Sequence, residues 1–298
     1  MNQPEPLRSA RSRAFYADFL ALAARSADLL DAMHQAMAPD CRVYAQNGDV
    51  VTPAASRQHT TFGRIAFPDL VAEVEDVLFP DDRLVVQVRM SGTVSPLVPS
   101  RLSGPTFTST CAIVGRVDER LRLSEVWSYI NPGFPLSFPP HGLHHEPPPE
   151  DAAGPAEARA MYETWVRRAE GGQDFIGAVA STFAPGGVVH PGNGDTGGLE
   201  ALHALFQVVT AGLPDLSLHI DDVMISQGRA VVQFAMSGTH QGPLGIYAPT
   251  GKVLPSRGML VARPDAQARA AELWVYLAPA YALTLAPAAG LASKSGGR

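Results

Sequence analysis

Leu213-Pro-Asp-Leu-Ser-Leu-His-Ile-Asp-Asp-Val223, continued by Gln233-Phe-Ala-Met-Ser-Gly-Thr-His240, occurs in this chain in two versions. The earlier one reads Phe67-Pro-Asp-Leu-Val-Ala-Glu-Val-Glu-Asp-Val77, continued by Gln87-Val-Arg-Met-Ser-Gly-Thr93. The register is constant through both: Pro68 falls on Pro214, Asp76 on Asp222, and Val85-Val86 on Val231-Val232. Followed outward, it joins Arg13, Tyr16, Asp28, Pro39, Asn47, Gly48 and Asp49 to Arg159, Tyr162, Asp174, Pro185, Asn193, Gly194 and Asp195. After one residue of slippage, Glu125-Val-Trp-Ser-Tyr129 falls on Glu272-Leu-Trp-Val-Tyr276. Solenoid units run to about 20–50 residues, so a repeat this long makes each copy a whole domain. The length of 298 residues suits two domains of about 150 each.

Within each copy the pattern changes from helical to extended. Phe15, Phe19 and Leu22, then Leu29, Met33 and Met37, have helical spacing. In the second copy Gly171-Gly172 divides the corresponding run in two. Asp28 and Asp174 stand where the second helix should begin and read as N-caps, while Ala38-Pro39 and Ala184-Pro185 should end it. Short segments at 42–44 and 188–190 lead into Asn-Gly-Asp turns, and a further helix is expected over 199–211. The repeated stretch itself alternates as β structure, followed by strands over 258–263 and 270–277. Each copy is therefore expected to be α+β, with helices first and an antiparallel meander after them. The expected boundaries are 1–131 for the first domain, 132–156 for a proline-rich linker, 157–285 for the second domain and 286–298 for a disordered tail.

Composition narrows the class. With 46% hydrophobic and 17% charged residues, the chain can build real cores and reads as a soluble protein. A net charge of −6 argues against nucleic-acid or anionic-membrane partners, which need a basic face. No run approaches the roughly 18 apolar residues of a membrane span. Cys41 and Cys111 both lie in the first copy and read as reduced core thiols, which suits a cytoplasmic location. The run after Arg8-Ser-Ala-Arg-Ser-Arg13 is broken by Asp18 and Arg25 and is matched inside the second copy, so it reads as part of a fold and not as a leader.

Parity along 230–240 puts Val232, Phe234, Met236, Gly238 and His240 on one face, where the first copy has Val86, Val88, Met90, Gly92 and Val94. That apolar face should be covered by helices or line a cavity.

At these residues the chain resembles the SnoaL-like polyketide cyclase family, of the nuclear transport factor 2-like and ketosteroid isomerase-like type. The resemblance is carried by Pro-Asp-Leu, the Glu/Asp-Asp-Val strand, Ser-Gly-Thr-His240-Gln-Gly, Ala248-Pro-Thr-Gly-Lys252 and the closing Glu-x-Trp. It implies two cone-shaped domains, each a curved antiparallel sheet wrapped around about three helices and enclosing an apolar pocket. It further implies an aldol cyclisation or isomerisation by a carboxylate acid/base, without metal or other cofactor. The acid/base aspartate usually found four residues after the tryptophan is Asn131 in one copy and Ala278 in the other. Neither moves a proton usefully at neutral pH.

Other groups must then do the work. His240, on the pocket face, is the first candidate base. His190, at a position that often faces the pocket in this family and where the first copy has Tyr44, is a second. Glu272, if buried beside His240, would complete an oriented acid/base pair; because Glu125 and Trp127 repeat Glu272 and Trp274, the other reading is structural, with the carboxylate paired within the sheet and the indole walling the cone. Tyr162, Trp274, Tyr276, Phe234, Met236, Trp127, Tyr44 and Tyr16 are candidate pocket residues. Asp69, Asp215, Asp76 and Asp222 read as turn caps and strand decoration, while His203, His219, His34 and His59 support no constellation. The cluster His141-Gly-Leu-His144-His145-Glu146 lies in the proline-rich linker and is not expected to bind metal.

The expected function is acid/base chemistry on an apolar, carbonyl-bearing small molecule, with the second domain active. A non-catalytic binding protein for an apolar ligand is the alternative. Epoxide hydrolysis would need an Asp-Arg-Asp set that the sequence does not assemble. The resemblance also implies that the two sheets face each other as an intrachain pseudo-dimer, with further homo-oligomers of the whole chain left open.

Overall fold

The structure, a computed structural model, describes residues 5–26, 28–97, 106–130, 141–147, 153–171, 174–245 and 247–277. The first copy contains α1 (Glu5–Ser26), α2 (Leu29–Ala36), β1 (Met37–Tyr44), β2 (Val50–Val51), α3 (Pro53–Ala66), β3 (Val71–Leu78), β4 (Arg83–Thr93), β5 (Thr106–Val117) and β6 (Leu123–Tyr129). The second contains α4 (Pro155–Glu170), α5 (Phe175–Ala180), β7 (Phe183–His190), α6 (Leu199–Gly212), β8 (Ser217–Ser226), β9 (Arg229–Thr239), β10 (Val253–Pro264) and β11 (Ala270–Tyr276). The two sheets run β2-β1-β6-β5-β4-β3 and β7-β11-β10-β9-β8. No helix among the described residues is long and apolar enough to cross a membrane.

The capping aspartates act as expected. Asp28 accepts from the amides of Leu30 and Asp31, and Asp174 from that of Gly177, closing orphan donors of the second helix in each copy. Asp69 and Asp215 accept from the amides of Thr93 and Thr239. They tie the Ser-Gly-Thr end of the long strand to the turn before its neighbour.

Two expectations need correction. The prolines after Ala38 and Ala184 do not end the helices; both lie inside strands, which begin at Met37 and Phe183. The sheets are also not purely antiparallel, because β1 pairs in parallel with β6 and β7 with β11. An irregularity in the pairing between Met37 and Arg42, and between Ala270 and Glu272, coincides with these proline segments, where ladder donors are missing.

Parity sorts each sheet into two faces. In the second domain Val232, Phe234, Met236, Leu260, Leu273 and Val275 pack inward against Met161, Trp165 and Leu202 of the helices. In the first, Val86, Val88, Met90 and Ile113 pack against Phe15, Phe19 and Met33. Each fully buried large apolar side chain contributes about 1.5–3 kcal/mol. A Cβ on Gly258 would stand 2.4 Å from the Phe234 ring, so this glycine makes the room the phenyl group occupies.

The opposite faces meet each other. Leu78, Val85, Ala112, Val114 and Tyr129 of the first sheet share one core with Met224, Val231, Met259, Val261 and Tyr276 of the second. Polar contacts across this layer come in matched pairs. Gln87 donates to the Tyr276 hydroxyl at 2.6 Å and Gln233 to that of Tyr129 at 2.8 Å. Arg83 pairs with Asp222, and Arg229 with Asp76. Asp76 and Asp222 thus join the two sheets and are more than strand decoration. The chain forms its own pseudo-dimer.

Candidate functional site

On β11, Leu273 and Val275 face the helices, so Glu272, Trp274 and Tyr276 face the other way. On β7, Val189 faces the helices and His190 does not. The parallel register sets Trp274 beside His190, and the two rings stack with centroids 5.0 Å apart and planes 8° from parallel. Glu272, 7% exposed, lies across the ladder from Arg263. One carboxylate oxygen meets His190 Nε2 at 2.9 Å; the other takes Nε and Nη2 of Arg263 at 3.0 and 2.9 Å.

Burial would raise the pKa of Glu272, but the hydrogen bond and charge of His190, together with those of Arg263, outweigh it and hold the carboxyl below its ordinary value. An ionised carboxylate only accepts, so the contact calls for a proton on His190 Nε2; in the neutral tautomer that carries it there, the lone pair is on Nδ1. The Thr196 hydroxyl lies 3.5 Å from that Nδ1.

The first copy holds the same frame without the imidazole. Tyr44 stacks on Trp127 with centroids 4.9 Å apart and donates to Glu125 at 3.0 Å. Glu125 also pairs with Arg42 and, at 2.5 Å, with Arg116. Arg257 of the second domain lies 5.4 Å from the centre of the Tyr44 ring.

His240 does not join Glu272. Thr239 pairs with Val253 at one end of β10 and Glu272 with Arg263 at the other. That is a separation of roughly 30 Å at about 3.3 Å per residue. His240 is fully buried, its Nδ1 lies 3.0 Å from Thr250 Oγ1, and its backbone pairs with Lys252 and Gly251. The Ala248-Pro-Thr-Gly-Lys252 segment therefore closes over it. Burial lowers the His240 pKa and keeps the ring neutral; the Gly242 backbone opposes this, without forming a well-aligned hydrogen bond to the buried Nε2. His240 anchors a loop.

The pocket residues also divide. Phe234 and Met236 are buried in the second core, and Tyr162 packs at its edge. Tyr16 packs at the edge of the first core, against Phe79 and Phe19. Burial raises the pKa of both tyrosines, so they remain neutral hydroxyls. Trp127, Trp274 and Tyr276 belong to the layer between the sheets, where Tyr276 is bonded to Gln87; Tyr44 lies beside that layer on Trp127. These four do not line a helix-covered cone. A small apolar cavity of about 20 Å³ lies in the first domain, among Phe15, Phe19, Leu29, Met33, Val86 and Ile113.

Cys41 and Cys111 are free and buried, and burial pushes the Cys41 thiol up to about 12. His203 and His219 are exposed. His34, assigned to no constellation from sequence, lies 3.2 Å from Ser56 Oγ and joins α2 to α3. Among the described residues no group of three His, Cys, Asp or Glu could hold a metal ion. Asn131, Ala278 and the tail over 286–298 lie outside the described residues.

Residues 173–277 match the profile of the SnoaL-like polyketide cyclases, and residues 13–124 match that of a SnoaL-like domain. The chain belongs to the SnoaL-like family. Among solved structures, the SnoaL-like chain is similar to AclR, a putative hydroxylase from Streptomyces galilaeus, at 23% identity over 43% of this chain and 83% of that one, with a TM-score of 0.36. It is also similar to IdmH, a putative polyketide cyclase from Streptomyces antibioticus, at 24% identity over 38% and 88%, TM-score 0.32. A putative SnoaL-like polyketide cyclase from Jannaschia Sp. CCS1 matches at 18% identity over 43% and 90%, TM-score 0.35. No curated protein matches the chain.

Both SnoaL-like domains thus carry the Glu-x-Trp strand, and in both its glutamate and tryptophan face away from the helices. Two groups of this site escaped sequence reasoning. Arg263 had a signal, since Arg116 holds the same place in the first SnoaL-like domain. Thr196 had none, because its counterpart is Val50.

Proposed function

We propose that the second SnoaL-like domain performs acid/base chemistry on an apolar, carbonyl-bearing small molecule, an aldol cyclisation or isomerisation, with His190 as the base. The observation that carries this reading is the 2.9 Å contact between His190 and a Glu272 carboxylate itself gripped by Arg263. His190 Nδ1 takes a proton from the carbon next to the carbonyl, and the C–H electron pair moves into the enolate. The imidazolium so formed faces Glu272, which stabilises it, and the proton returns to the product. Trp274 supplies an apolar wall at the rim of the junction between the domains, a common location for small-molecule sites. In the first domain Tyr44 replaces the imidazole, so the chemistry belongs to the second. Glu272→Gln and His190→Phe should each slow turnover of a carbonyl substrate by about 10²–10⁴-fold. Unchanged turnover in both variants would overturn the assignment.

A second reading, binding of an apolar ligand without turnover, is favoured by the first-domain cavity, whose described lining contains no ionisable side chain. An apolar cavity that admits benzene measures about 150 Å³, so a ligand there requires α1 and α2 to move off the sheet. Apolar ligands should then raise the melting temperature, and Met33→Trp should abolish the rise. A rise that survives Met33→Trp would exclude this cavity.

A further inference from the structure

The segment His141–Pro147 belongs by sequence to the proline-rich linker, and its backbone is pinned to the second domain. The buried carboxylate of Asp195 accepts three consecutive backbone amides, those of His141, Gly142 and Leu143, at 2.8, 2.9 and 3.0 Å. Gly142, at φ +73°, has the left-handed conformation that favours glycine and lets neighbouring N–H groups converge on one anion. Beyond it the segment runs beside Thr196: the Thr196 amide donates to the Leu143 carbonyl at 2.9 Å, and the His145 amide donates to the Thr196 carbonyl at 2.8 Å. Leu143 packs against the second core.

Both backbone groups of Thr196 are therefore held by the segment, and its hydroxyl lies 3.5 Å from His190 Nδ1, a long contact that orients the ring and gives way when the Nδ1 lone pair takes a proton. Among the described residues the first domain lacks the whole set. Asp49 is exposed and bonded to Asn47, Val50 stands where Thr196 does, and Tyr44 replaces His190. Strap, hydroxyl and imidazole occur together or not at all.

We propose that Asp195 and Thr196 are positioning residues for His190, with the inter-domain segment as a strap that fixes the Thr196 hydroxyl against Nδ1. The inference rests on the assignment of His190 as the base, but its test needs no substrate. In the full chain, hydrogen exchange reports the strap and nitrogen NMR of the imidazole reports Nδ1. The wild type should show protected amides at 141–143 and a His190 ring protonated on Nε2. Asp195→Asn should speed exchange at those amides by about tenfold or more, as an ionic acceptor becomes a neutral one. It should also move the Nδ1 resonance toward that of an unbonded imidazole nitrogen. Thr196→Val, close in shape and without the hydroxyl, should move Nδ1 while leaving the strap protected.

Loosening of the strap with Nδ1 unmoved would overturn the proposal by making the strap purely structural, as would an unmoved Nδ1 in Thr196→Val. Protection unchanged in Asp195→Asn would remove Asp195 as the clamp. Failure of the acid/base reading is separate: it would appear as turnover indifferent to His190 and Glu272 while these signals still respond.

Discussion

The side-chain amide of Gln87, in the first sheet, donates to the hydroxyl of Tyr276 in the second at 2.6 Å, deep within the layer where the sheets meet. Its repeat partner Gln233 makes the same bond to Tyr129, so one contact is written twice about an internal pseudo-twofold. Burial pushes both tyrosine hydroxyls far above their ordinary pKa, and they act here as neutral partners. Gln87→Met keeps most of the volume but leaves a buried hydroxyl without its donor, at a cost of about 1–3 kcal/mol. Gln233→Met should cost a similar amount. Urea unfolding of the two variants checks this, and wild-type midpoints in both would show that the bonds do not hold the layer together.

Gly258 should not tolerate a side chain. An added Cβ would lie 2.4 Å from two atoms of the Phe234 ring and 2.7 Å from Leu277. Gly258→Ala is therefore expected to destabilise by about 1–3 kcal/mol, the cost of overpacking a filled core. A melting temperature equal to that of the wild type would mean that Phe234 has room to move.

His240 and His34 should make the fold acid-sensitive. Burial lowers the pKa of both, although the Leu30 and Ser56 backbones oppose it at His34. The unfolded chain, with its histidines near about 6.5, binds protons that the folded chain refuses, so stability is present above that pH and is lost as the pH falls below it. His240→Val, the residue of the first copy, removes one of these groups. The drop in melting temperature from about pH 7.5 to about pH 5 should be smaller in the variant than in the wild type. An equal drop would show that His240 is not a source of the sensitivity.

Much of the fold was legible because the repeat supplied its own control. Asp28 and Asp174 cap helices and Phe234 and Met236 face a core, since local capping and strand parity are short-range physics. The site was harder to read. Parity correctly grouped Glu272, Trp274 and Tyr276, but not which side of the sheet was covered by helices and which by the other domain. Residue type suggests a pairing of His240 with Glu272, whereas the register of β10 places them at opposite ends of the sheet. The parallel pairing of β7 with β11 brings His190 to Glu272, and a contact between strands so distant in sequence leaves no local signal. The strap at 141–147 was hidden for a related reason: its composition reads only as a proline-rich linker, and the Asp195 that captures it is spelled like Asp49, whose carboxylate among the described residues accepts from its neighbour Asn47.

The most direct measurement of the central claim is solvent deuterium exchange at the carbon next to the carbonyl of an aryl ketone. It should be followed by NMR in parallel for the wild type, His190→Tyr and His240→Val. His190→Tyr installs the residue of the first copy on the same tryptophan. Exchange accelerated by the wild type, kept by His240→Val and reduced by about 10²-fold or more in His190→Tyr is the predicted result. Exchange that survives His190→Tyr, or that is lost in His240→Val while the fold persists, would contradict it.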